Sequence, residues 1–118
     1  MNIYEDLTYS DEFNKGYCYN LYINNEKKGY CNIIINDITK SSIITDFYCM
    51  KTNCGFGSIL LKYLIEKIRK TKINIILLDD MSDRYRNSHN IYLKFGFRYI
   101  SKTGPEMELK INNIGKSK

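Results

Sequence analysis

Two neighbouring segments, residues 58–70 and 73–78, constrain this chain most. In the first, Ile59, Leu60, Leu61, Leu64, Ile65 and Ile68 recur at intervals of three and four, the spacing of a helix with one buried stripe. Lys62, Lys67 and Lys70 fall between them. In the second, Ile73, Ile75, Ile76, Leu77 and Leu78 are interrupted only by Asn74 and stopped by Asp79 and Asp80. So apolar a run fits a central strand covered on both faces. Upstream, residues 43–50 also read as a strand, so strand, helix and strand follow one another with short joints. In such a unit the strands are parallel and the crossover is right-handed.

The preceding stretch has a different period. Residues 17–23 are rich in aromatics and alternate around Asn20, which predicts a strand. Residues 24–29 carry the Asn and Gly of a turn, and residues 30–36 form a second strand, giving a β-hairpin. A polar turn over residues 37–42 leads to the 43–50 strand and completes an antiparallel meander. The first sixteen residues are polar, with only Ile3, Tyr4, Leu7 and Tyr9 able to pack, enough for one short strand. Downstream, Asn87 or Ser88 caps a short helix through Phe95, which Gly96 ends. Strands over residues 97–102 and 106–111 close the chain around a turn at residues 103–105. The expectation is an α+β mixed sheet in one domain spanning the 118 residues.

Composition narrows the classes. No apolar run approaches the ~18 residues that cross a bilayer, and Met1 to Asp6 lack the plan of a signal peptide. A soluble, cytoplasmic protein is expected. Cys18, Cys31 and Cys49 lie in apolar strand-like runs and read as small core residues in a reducing compartment. With a single histidine and no C-x-x-C pair, no metal site is expected. The net charge of +5 is spread along the chain, and no motif that reads DNA or RNA accompanies it, which disfavours a nucleic-acid partner. The abundance of Ile, Lys, Asn and Tyr, all with A/T-rich codons, points to an AT-rich genome such as that of a protist or a large DNA virus.

The joint between the 43–50 strand and its helix carries the chemistry. Gly55 and Gly57 flank Phe56, and the helix is expected to start at about Ser58. First-turn amides lack internal partners and carry partial positive charge, and glycines let the backbone approach an anion closely. A diphosphate suits such a place, although Gly-x-Gly alone also fits a plain strand-to-helix turn.

The segment Thr52-Asn53-Cys54-Gly55-Phe56-Gly57, together with Tyr92-Leu93-Lys94-Phe95-Gly96-Phe97 downstream, resembles the GCN5-related N-acetyltransferase (GNAT) superfamily. Members bind acetyl-CoA through a Q/R-x-x-G-x-G/A loop at a helix start and carry a Y-x-x-x-G-F element. The resemblance covers residues 17–111, and two motifs in the expected β-α-β-α order are more specific than either one. It implies that Asn53, Cys54, Gly55, Phe56, Gly57 and Ser58 hold the CoA diphosphate. It also implies that the backbone of Phe47, Tyr48, Cys49 and Met50 pairs with the pantetheine arm where the strand splays from its neighbour. Tyr92 takes the role of proton donor to the leaving thiolate. Its unperturbed pKa of about 10 lies above that of a thiol.

Three departures from the family pattern stand out. Thr52 occupies the usual Gln or Arg position, and Cys54 sits inside the loop where Gly or Lys is common. The two helices that normally follow the first strand have no room before Tyr17. The acceptor site is therefore open, or completed by a second subunit in a homodimer.

The resemblance implies an N-acetyltransferase that moves an acetyl group directly from acetyl-CoA to an amine: a small amine, a polyamine or a protein amino group. Asp46, Asp79, Asp80 and His89 are candidates for the base that deprotonates the amine, and the sequence selects none. An alternative from another class is a catalytically weak or inactive acyl-CoA-binding module acting through a partner.

Overall fold

A computed structural model describes residues 1–50, 55–82, 85–87 and 90–112. The chain runs β1 (Asn2–Ser10), β2 (Asn14–Ile23), β3 (Glu26–Asn36), β4 (Ser41–Cys49), α1 (Phe56–Arg69), β5 (Ile75–Asp79), α2 (Ile91–Lys94), β6 (Arg98–Tyr99) and β7 (Glu106–Lys110). The strands form one seven-stranded sheet in the order β1-β2-β3-β4-β5-β7-β6. Every neighbouring pair is antiparallel except β4 and β5, which are parallel across α1. This is the expected α+β mixed sheet.

Local chemistry sets the turns. Between β1 and β2, Asp11 Oδ1 accepts from the amides of Phe13 (2.9 Å) and Asn14 (2.7 Å) and folds the chain straight back. No helix separates these strands. The β2–β3 hairpin closes on Asn24 and Asn25, both at positive φ (53° and 65°), the two-residue loop whose twist matches the strands. Residues 26–29, expected in the turn, belong to β3. Asn36 Oδ1 accepts from the amides of Ile38 and Thr39 and starts the turn into β4.

β1, α1 and β6 also differ from expectation. β1 is a full strand of nine residues; as the sheet's edge it is largely solvated, so its sequence lacks an apolar face. α1 begins at Phe56, two residues early, because Gly55 adopts φ 79° and serves as a cap without any side-chain bond. β6 keeps only two of the six expected residues, since the carbonyls of Ser101 and Gly104 are taken by the Arg86 guanidinium at 2.9 Å.

The core lies on one side of the sheet. Leu60, Leu61, Leu64 and Ile68 of α1 are buried, at the helical spacing read from the sequence, and pack with Ile33, Ile44, Ile76, Leu78 and Met107 of the strands. α2 lies on the same side, where the Tyr92 ring meets Phe47 at 5.8 Å and Phe97 at 6.0 Å. Neither described helix covers the opposite face. There Ile75 and Leu77 are only half-buried, and Ile34 (37%) and Ile43 (41%) are exposed on strands inside the sheet. The apolar run of β5 therefore has one covered face, not two.

Candidate active site

The site begins as a defect in strand pairing. β4 and β5 pair only from Ser41 with Ile75 to Ile44 with Leu78. One residue later the β3–β4 register jumps, with Ile33 opposite Ile44 but Asn32 opposite Asp46, so Thr45 is an inserted bulge residue. A bulge bends and twists its strand, and β4 parts from β5 at this point. The rest of β4, residues 46–49, pairs with β3 alone. Among the described residues its peptide groups on the β5 side therefore lack a strand partner, which is the edge a ligand can add to as an extra strand.

A cleft of about 300 Å³ fills the gap, lined by Thr45, Asp46, Phe47, Asp79, Ser82 and Tyr92 among others. The first turn of α1 packs beside it. A Cβ built on Gly57 would lie 3.0 Å from Ile91 Cδ1, 3.5 Å from Phe47 Cε1 and 3.7 Å from Cys49 Sγ. The missing side chain at Gly57 thus makes room for the α1–α2–β4 junction. Gly55 has a φ of 79°, and a Cβ there would meet no described atom within 4 Å. The first helical bond runs from Ile59 N to Gly55 O (3.1 Å), leaving the amides of Phe56, Gly57 and Ser58 at the open helix end without an acceptor among the described residues. These groups fit a diphosphate, because they supply donors and partial positive charge at a helix start.

The remaining expected residues divide. Phe47 lines the cleft, and Cys49 is half-buried on the α1 side. Tyr48 turns its ring to the uncovered face against Tyr30, leaving only its backbone for the cleft. The Met50 amide already donates to Lys28 O at 2.9 Å, which leaves its carbonyl. Asn53 and Cys54, like Thr52 and His89, lie outside the described residues.

Tyr92 is buried, with its ring held edge-on by Phe47 and Phe97. Its amide donates to Asn90 Oδ1 at 2.8 Å, so Asn90, not Asn87 or Ser88, caps α2. Burial pushes the Tyr92 phenol above its ordinary value, and the Asp80 charge adds to the effect. The phenol is therefore protonated throughout the physiological range.

Behind Tyr92 lies a polar network that the sequence did not reveal. Asp80 is 2% exposed. Its Oδ1 accepts from the Ser82 amide (3.0 Å) and hydroxyl (2.5 Å), and its Oδ2 accepts from Asn90 Nδ2 (2.8 Å) and the Tyr99 hydroxyl (2.5 Å). Burial raises the Asp80 carboxyl, but these donors outweigh it and the net shift is downward. With both oxygens engaged, Asp80 is a poor base. Asp46 accepts from Asn32 Nδ2 at 3.1 Å, and both Asp46 and Asp79 line the cleft.

The fold is that of known acetyltransferases. The ribosomal-protein-S18-alanine N-acetyltransferase of Escherichia coli superposes with a TM-score of 0.65 at 17% identity, over 84% of this chain and 71% of that one. The aminoglycoside 6'-N-acetyltransferase of Enterococcus faecium gives 0.64 at 14%, over 87% and 76%. The PaiA N-acetyltransferase of Thermoplasma acidophilum, solved with coenzyme A, gives 0.63 at 18%, over 79% and 59%. A search of curated proteins finds no match. The model of the acetyltransferase (GNAT) family matches residues 2–97. The chain belongs to the GNAT family of acetyltransferases.

Proposed function

We propose that this protein is an N-acetyltransferase that binds acetyl-CoA in the β4–β5 cleft and transfers the acetyl group directly to an amine. The observation that carries this reading is the convergence of three features: the unpaired end of β4, the N-terminus of α1 with no side-chain bond to its amides, and a buried, protonated Tyr92. In this reading the amides of Phe56, Gly57 and Ser58, with Asn53, Cys54 and Gly55 before them, hold the diphosphate. The backbone of Phe47, Tyr48, Cys49 and Met50 takes the pantetheine arm. When bound, acetyl-CoA supplies an activated thioester: a C–N bond forms, the C–S bond breaks, and the proton lost by the amine ends on the thiol.

Tyr92 donates a hydrogen bond to the departing sulfur. A phenol raised above its usual pKa of about 10 is a weaker acid than a thiol, so complete proton transfer would run uphill. Its contribution is stabilisation of developing negative charge. Asp46 and Asp79 place negative charge at the cleft, where it draws an ammonium group. The similar folds include a ribosomal-protein-S18-alanine N-acetyltransferase and an aminoglycoside 6'-N-acetyltransferase, so the fold itself does not rank acceptors.

Thermal stabilisation by acetyl-CoA tests the reading, followed by thiol release across an amine panel. At about 100 times its dissociation constant, a ligand of the folded state adds about 2.7 kcal/mol. Tyr92→Phe should keep that stabilisation and lose about 10²-fold or more in turnover. If no acyl-CoA stabilises the protein, the reading fails. Stabilisation without thiol release from any amine would make it a binding module.

A further inference from the structure

The bare face of the sheet is ordered into rows. Strand register sets Asp6, Cys18, Asn32 and Asp46 side by side across β1 to β4. The adjoining row is Tyr4, Asn20, Tyr30 and Tyr48. On the other side runs Gly16, Ile34, Ile43 and Leu77. A strip with a carboxylate at each end is thus flanked by tyrosine rings and by exposed aliphatic side chains. Neutral amides lie along it: Asn20 donates to Asp6 and Asn32 donates to Asp46. The strip ends at Asp46, which lines the cleft.

We propose that this face docks a basic, extended segment of an acceptor protein and leads one of its lysines to the cleft. The proposal rests on the transferase reading above, and it names the acceptor class. Charge complementarity selects the occupant: although the chain is net positive, this strip carries carboxylates, while Lys62 and Lys67 belong to α1 on the opposite side, with Lys70 at its C-cap. Tyrosine faces attract cations, as Lys27 already shows by lying 5.0 Å from the Tyr30 ring centre. The aliphatic row covers the stems of long side chains. Asp6 and Asp46 stand three strands apart, about 14 Å at ~4.8 Å per strand. An extended peptide covers that distance in about four residues. The preferred acceptor therefore bears a second cation about four residues from the lysine that is acetylated.

Two fluorescein-labelled Gly/Ser peptides test this, both with one lysine, one of them with arginine four residues away and the other with glutamine there. Binding is read by anisotropy without acetyl-CoA, and kcat/KM by thiol release with it. The arginine peptide should be favoured about two- to fivefold, the scale of one exposed ion pair. Asp6→Asn should remove that preference while leaving the glutamine peptide unchanged. Asp6→Lys should invert the preference, and high salt should erase it. Preference that survives Asp6→Asn overturns the proposal. So does a kcat/KM for spermidine or spermine above that of the arginine peptide. A dimer seen by light scattering and broken by Ile34→Lys would put a second copy on this face, and likewise overturns it. Asp6-dependent binding without any thiol release leaves the docking intact and refutes the transferase reading alone.

Discussion

Asn90 is the residue whose replacement reports most directly on how Tyr92 is held. It is fully buried, at 0% exposed, and bridges two groups: its Oδ1 accepts from the Tyr92 amide and its Nδ2 donates to Asp80. Asn90→Ala removes a helix cap, a loss of about 1 kcal/mol. It also takes one donor from a buried carboxylate, and a hydrogen bond to a charged group is worth about 1.5–3 kcal/mol. Tyr99 and Ser82 still serve Asp80, so the sum stays near 2–4 kcal/mol, a sizeable share of the 5–15 kcal/mol typical of a domain. At roughly 4 °C per kcal/mol, the melting temperature falls by about 8–16 °C. Urea denaturation gives the free energy, provided the slope is unchanged.

Asn90→Asp separates the two halves of the bridge. Aspartate caps a helix as well as asparagine, so the bond to Tyr92 survives. The Asp80 side now faces a second carboxylate where it had a donor, and two close carboxylates resist joint ionisation. Asn90→Asp should therefore be less stable than Asn90→Ala at pH 7 and should recover as pH falls and one proton is shared. An Asn90→Asp protein at least as stable as Asn90→Ala at pH 7 would refute the account of Asp80 as a charged partner. A loss below about 0.5 kcal/mol for Asn90→Ala would refute the network as a support of α2.

Other perturbations read other parts of the site. Gly55→Val forces a branched residue to φ 79°, costing at least about 1–2 kcal/mol; differential scanning should also show the loss of stabilisation by acetyl-CoA. Gly57→Val should instead act through packing, since its Cβ meets Ile91: about 1–3 kcal/mol of overpacking in a urea melt, with Ile91→Ala restoring part of it. The pH profile of kcat/KM should rise with amine deprotonation and show no Tyr92-dependent fall below about pH 10, because the phenol is shifted upward; a fall there that vanishes in Tyr92→Phe would contradict the buried phenol. The Asp80 carboxyl is shifted downward in the folded protein. Its contribution to stability is therefore present above the ordinary value of about 3.9 and is lost as pH falls through the lower folded value. Acid titration of stability should show that loss in the parent protein and not in Asp80→Asn.

Much of the fold was legible because it rests on periodicity. The Leu60, Leu61, Leu64 and Ile68 stripe and the β2–β3 hairpin follow from local spacing, although α1 starts two residues earlier and the hairpin turn is shorter than that spacing implied. What local spacing missed has a physical reason in each case. β1 pairs through its backbone, and only Ile3 packs against the core, so its few apolar residues marked a short strand and not its nine-residue length. The start of α1 carries no Ser, Thr or Asp cap, because a left-handed glycine ends the loop. At the site, Tyr92, which its motif singles out, lines the cleft, whereas Asp80 is one of four candidate bases in the sequence with nothing to mark its network. Its partners Asn90 and Tyr99 lie 10 and 19 residues away, and only the packed sheet brings them together.

The two ligands this site is proposed to hold depend on the sequence in different ways. The parted end of β4 and the open turn of α1 offer backbone groups, which any residues able to form the bulge at Thr45 and the left-handed turn at Gly55 would present. Such a site leaves a faint sequence trace, a few glycines and a strand break, while the fold itself is kept at 10% identity. An acceptor, in contrast, must be recognised by side chains on the surface next to the cleft. Here that surface is an uncovered sheet face, because β1 turns directly into β2 at Asp11 instead of leading into helices. Every second residue of four strands is thereby released from core duty and left to face a partner. The Asp6 to Asp46 strip and its tyrosine border occupy those positions, so acceptor choice in this protein should change with substitutions there while the handling of acetyl-CoA does not.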